Sequence, residues 1–224
     1  MTILEQKLDE LQERLMAMAA TVEEMVTSSV RALVERNHDS ATRVVDIDEP
    51  KVNRLENEIE DAAINLMALH QPEASNLRAI TMIIKLNKDL ERIGDHAVNI
   101  ADAARYLIDR PELKRLNDLP RMAEHAVAML RDALAAFTNK DPALARAVCE
   151  RDAEVDALRD QIYRELVTHM TSDATTIDRA LKLMLVSMNV ERIADLATNI
   201  AEDAVYMAEG RVIMHHADEQ PAPE

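Results

Sequence analysis

Tryptophan is missing from this 224-residue chain, and glycine (2), phenylalanine (1), tyrosine (3) and cysteine (1) are nearly so. Each scarcity excludes something. With so little glycine there are no tight hairpin turns for a sheet, no glycine-rich phosphate loop and no nucleophile elbow. The lone Cys149 rules out an intrachain disulfide and any zinc-finger spacing, and it points to a reducing, cytoplasmic setting. No apolar run approaches the ~20 residues that cross a bilayer, so direct membrane insertion is not expected. The opening MTILEQKLDELQERL alternates charge from its fifth residue and does not read as a signal peptide. Basic residues are outnumbered as well: 26 Lys and Arg stand against 42 Asp and Glu, for a net charge of −16. That surface repels nucleic acid and anionic membranes, and it suits cations or basic protein partners.

What is plentiful is Ala, Leu, Met, Glu and Arg, the strong helix formers. Apolar residues make up 48% of the chain, enough for a real core, so the charge does not signal disorder. Residues 91–106 read ERIGDHAVNIADAARY and residues 191–206 read ERIADLATNIAEDAVY, identical at ten of sixteen positions. One unit is therefore present twice, at an offset of 100 residues.

An apolar seam steps by three and four through Ile83, Leu86, Leu90, Ile93, Ala97, Ile100, Ala104 and Leu107. It returns as Leu183, Val186, Val190, Ile193, Ala197, Ile200, Ala204 and Met207, the stripe of a long bundle helix. A lesser stripe precedes each: Val52, Leu55, Ile59, Ala62, Leu66 and Leu69, then Val155, Leu158, Ile162 and Leu166, at an offset of 103. Breakers fall between. Asn37 to Ser40 closes the first helix and caps the next, Pro50 marks a restart, and Gln71-Pro72 and Thr171-Ser172-Asp173 separate later helices. Pro111 and Pro120 flank the link between copies, and Asp141-Pro142 opens the fifth helix. The expected fold is all-α, two tandem antiparallel three-helix bundles over 1–110 and 115–210, with 211–224 a flexible tail.

With Leu90 at heptad position a and Ile93 at d, Glu91, Asp95 and Asn99 fall at b, f and c, away from the seam. Glu191, Asp195 and Asn199 repeat them. The preceding helices add Glu49 with Asn53, and Asp152 with Asp156. Like charges at i, i+4 cost about 0.2–0.5 kcal/mol per pair. A multivalent cation would turn that repulsion into coordination, because carboxylate oxygens are hard ligands. A lone E-x-x-x-D is usually a solvated helix face. Retention in both copies favours a surface metal site on each unit. Arg92 and Arg192 read as salt-bridge partners, and Gly94, answered by Ala194, as a point of close helix approach.

Other signals are weaker. Asp95-His96 reverses the order of a histidine–aspartate phosphohydrolase and loses its histidine at Leu196. Ferritin-like di-iron sites need an inward Glu-x-x-His, which Gly94 denies. His38, His70, His125 and His169 read as ordinary surface histidines, and the 13 methionines as core filler.

The segments LERIGDHAVNIA and VERIADLATNIA, placed 100 residues apart, resemble the signature of the PhoU family over nearly the whole chain. That resemblance implies a cytoplasmic, non-enzymatic homodimer that represses the phosphate-starvation regulon. It implies contact with the phosphate-sensing histidine kinase and with the ATPase of the phosphate ABC transporter. It also implies a multinuclear metal cluster of iron, zinc or another divalent cation held by E(D)-x-x-x-D motifs. On this chain those are Glu91 with Asp95, Glu191 with Asp195 and Asp152 with Asp156. The fourth departs from the pattern as Glu49 with Asn53, so the first unit binds metal more weakly or recruits Asp48. A metal-dependent hydrolase or a metal-storage bundle using the same stripes is the competing reading. The fuller acidic set puts metal in the second copy first.

Overall fold

The computed structural model describes residues 2–209, and among them there is no strand. Helix α1 (Ile3–Glu35) opens on a capping box: the Thr2 hydroxyl accepts the Glu5 N–H while the Glu5 carboxylate accepts the Thr2 N–H. It ends at Arg36, whose φ of 54° is left-handed. Asn37 then caps α2 (His38–Arg43), its side chain accepting the Ser40 N–H. A π turn over Val44–Asp48 carries α2 into α3 (Glu49–His70) without a break. Pro50 opens α3 as expected, although the chain enters that helix through the π turn and not after a break. It stands in the first turn of α3, where its missing N–H falls at the change from π to α bonding. Gln71 (φ 44°) closes α3, and α4 runs Ala74–Ile108.

The second unit is simpler. Helix α5 spans Asp118–Asn139, so Pro120 lies in its first turn, at the edge of the link it flanks. Asp141 caps α6 (Pro142–Ser172) by accepting the N–H groups of Ala143 and Leu144. A short 3₁₀ turn, Ala174–Thr176, leads into α7 (Ile177–Glu209). The proposed tail, 211–224, lies outside the described residues.

Helices α1, α3 and α4 pack as one bundle and α5, α6 and α7 as the other, while α4 on α7 and α1 on α5 join them. The core is continuous across the junction. Every residue of the two seams is buried except Met207, which is half-buried. In the lesser stripes Val52, Ile59, Leu66, Val155, Ile162 and Leu166 are buried, but Leu69 is 77% exposed in the last turn of α3 and belongs to no core. A Cβ on Gly94 would sit 3.5 Å from Val52 Cγ1 and 3.7 Å from Met25 Cε. The helices do approach closely there, yet alanine fits, as Ala194 shows in the other copy.

The junction between α4 and α7 carries buried polar groups. Asn189 Oδ1 accepts from Asn99 Nδ2 at 3.3 Å and meets His96 Nδ1 at 2.9 Å. Asn99 thus ties the units together and is not part of the acidic stripe's chemistry. The repeat counterpart of Asn189 is Asp89, whose carboxyl is pushed up by burial and by Asp203, against Lys85 and Arg92. Burial also pushes up Asp203, although Lys85 reaches it at 2.7 Å. Each of these two carboxylates leaves its buried Oδ2 without a hydrogen-bond partner. A raised carboxyl stabilises the fold fully at low pH and loses that contribution as pH rises through the folded value. Asp89→Asn should therefore stabilise the chain by about 1–2 kcal/mol at pH 8, an advantage that fades toward pH 4. Melting curves across that range check this, and an offset independent of pH would contradict it.

Candidate functional site

In the second unit, α6 and α7 run side by side and bring Asp152, Asp156, Glu191 and Asp195 into one field. Asp152 is pushed up to about 6, first by burial and then by Asp195, Asp156 and Glu191, with Arg159 opposing. Arg159 Nη1 sits 3.0 Å from Asp156 Oδ1 and 2.8 Å from Glu191 Oε1. Its Nη2 reaches Asp160 Oδ1 at 2.9 Å. Arg192 lies 3.1 Å from Asp195, the bracing role expected of it. Heptad position alone sends Glu191 outward, but its side chain is only 14% exposed, tucked into the groove between the helices beneath Arg159.

This face is not confined to one unit. Asp152, Arg192 and Asp195 share a cleft of about 270 Å³ with Arg92 and His96, which come from α4 of the first unit. Arg92 also lies 3.5 Å from Asp89. Cys149, near the same cleft, has its thiol pushed up to about 11 by burial and by Glu202, which holds it protonated and unreactive.

The first unit gathers a different set. Glu49 is pushed up by burial, then by Asp95 and Asp102. Glu91 is pushed up by burial, then by Asp95 and Glu56, against Lys88 and Arg92. Asn53 is exposed, and its carbonyl accepts from the Asn57 side chain at 2.6 Å. Asp48 ends the π turn that leads into α3. It is buried, 3.7 Å from Arg43, and is not among the groups that act on Glu49. Asp102 and Glu56 make up the acidity instead. Both escape a reading limited to E-x-x-x-D pairs, yet both were within reach of the repeat. Asp102 answers Glu202 at the offset of 100, and Glu56 answers Arg159 at the offset of 103.

The donor chemistry suits a hard cation: carboxylate oxygens, half-buried, whose mutual repulsion a positive ion would relieve. As the side chains stand, no three His, Cys, Asp or Glu among the described residues converge into a coordination set. In the second unit the Arg159 guanidinium stands between two of the oxygens such an ion would use.

Fold and faces together define a duplicated three-helix-bundle protein with an acidic groove on each unit. The PhoU domain matches residues 15–104 and 119–204, and the chain belongs to the PhoU family. Among curated relatives, a phosphate-specific transport system accessory protein PhoU homolog of Aquifex aeolicus is 40% identical, over 93% of this chain and 94% of that protein. A homolog of the same description from Pseudomonas putida is 37% identical, over 93% and 82%. The crystal structure of PhoU from Pseudomonas aeruginosa superposes with a TM-score of 0.88 at 35% identity, covering 92% of this chain and 99% of that one. The phosphate transport system regulatory protein PhoU from Streptococcus pneumoniae gives 0.85 at 25% identity, covering 95% and 100%. No helix among the described residues is long and apolar enough to cross a membrane.

Proposed function

We propose that this chain is a non-enzymatic accessory of phosphate-specific transport that represses the phosphate-starvation regulon when phosphate is ample. It acts in the cytoplasm, as a homodimer, between the ATPase of the phosphate ABC transporter and the phosphate-sensing histidine kinase. The observation that supports this most is that both PhoU-domain stretches contain an acidic groove built from equivalent positions. A duplicated negative surface on a chain of net charge −16 suits basic patches on partner proteins, met directly or through bound cations.

In this reading the grooves hold divalent cations. Asp152, Asp156, Glu191 and Asp195 are the ligands of the second unit, and Glu49, Glu91 and Asp95 with neutral Asn53 those of the first. A bound ion would bridge the groove's carboxylates to oxygen ligands on a partner. Deleting the gene and following phosphate-starvation transcripts in phosphate-replete cells tests the regulatory role. The transcripts should rise, and restoring the gene should silence them. Unchanged transcripts would reject it.

A further inference from the structure

The two apolar seams are sealed along most of their length, but they open to solvent at one place. Leu107 is 7% exposed and Leu183 5%, while the other seam residues apart from Met207 are at 2% or less. With Leu33 they line a cleft of about 240 Å³, walled by residues 111–117 of the link between α4 and α5. Val34 lines it too and is 44% exposed. The charged lining reverses the sign of the chain: Arg36, Lys114, Arg115 and Arg179 stand against Glu112 alone. Glu165 pairs with Lys114. The three arginines have no carboxylate partner among the described residues. Arg36 donates to the carbonyls of Ile108 and Arg110, and Arg179 to those of Pro111 and Thr175. Arg115 makes no hydrogen bond or ion pair among the described residues.

We propose that this cleft binds a small organic monoanion, a carboxylate carried on a short apolar body. The body would cover Leu107, Leu183 and Val34, which the fold leaves in contact with water. Arginine suits the head group, because a planar guanidinium meets a carboxylate in paired, charge-assisted hydrogen bonds. Arg115 has its donors free for this, and Arg36 engages only Nη2. Charge selects a monoanion. The C-terminal ends of α1 and α4 each bring about half a negative charge, and Glu112 brings another. Against three arginines that leaves about one positive charge unmatched, too little for a dianion. The cleft is also smaller than the ~300–1,000 Å³ of sites for drug-sized ligands, so the apolar body is short. None of the groove carboxylates takes part, and the site stands whether or not the grooves hold cations.

Calorimetric titration of the full chain with hexanoate tests this, with acetate, hexan-1-ol and hexylammonium as controls. Hexanoate should bind one to one with a Kd below about 1 mM, within the efficiency open to a ligand of its size. Acetate lacks the body, hexan-1-ol the charge and hexylammonium its sign, so each should bind about tenfold more weakly or not at all. Arg115→Glu and Val34→Glu each add a carboxylate to the lining and should weaken hexanoate about tenfold or more. Both positions are exposed, circular dichroism confirms which variants are folded, and either folded variant suffices. Absence of hexanoate binding to the unaltered chain overturns the proposal. So does a control that binds as tightly as hexanoate, or a folded variant of unchanged affinity.

Discussion

Replacing Glu91, Asp95, Asp152 and Asp195 together by their amides should weaken Mn²⁺ binding about a hundredfold or more while leaving the helices intact. Each groove loses two of its carboxylate ligands and two negative charges, leaving too few to hold a divalent ion tightly. Folding should not suffer, because these carboxylates oppose one another. Asp152 already sits near 6 rather than at its ordinary value, through burial and its three acidic neighbours. That raised value means the folded chain binds a proton there more readily than the unfolded chain. Its charge is a cost to the fold at neutral pH, and the amide should stabilise by about 1 kcal/mol after allowance for solvent screening. Calorimetric titration with urea melts checks both halves. Undiminished Mn²⁺ binding in the fourfold variant would place the cation elsewhere on the chain.

The largest expected loss of stability is in the seams. Ile93→Ala and Ile193→Ala should each cost about 3–4 kcal/mol. Both side chains are fully buried, at 0% exposure, in equivalent places of the two bundles. Each truncation removes apolar contact and leaves a cavity that rigid neighbouring helices cannot close. Because the core runs across the junction of α4 and α7, both variants should unfold in a single transition at a lower urea concentration. Two separated transitions would show bundles that fold independently, and a loss below about 1 kcal/mol would deny the close packing.

The seams were legible because helical periodicity is local: Ile93 and Ile193 declare themselves by spacing alone. So do the caps at Asn37 and Asp141, where a side chain meets a backbone N–H two or three residues on. Contacts between helices were not legible in the same way. The continuity through Pro50 depends on a π turn that no residue type demands, and Leu69 extends a correct pattern one step past the packed part of α3. Asn99 shares the spacing of the acidic stripe, yet its partner Asn189 is set by how α4 docks on α7. Arg159 follows Asp156 by three residues, but its role depends on Glu191, which lies on another helix. The same duplication that reveals the stripe also contains the substitution of Glu56 by Arg159. A comparison of like residues only passes over it. Phosphate itself enters through the PhoU kinship and from no group in the chain.

The acidic grooves are proposed as the surface on which this protein meets its partners. Capture of the phosphate transporter's ATPase and of the sensor kinase should be compared between the unaltered chain and a Glu91→Lys, Glu191→Lys variant, with circular dichroism on both. The folded variant should lose both partners by about tenfold or more, the usual penalty when charge complementarity is reversed. A folded variant that captures both as well as the unaltered chain would contradict it.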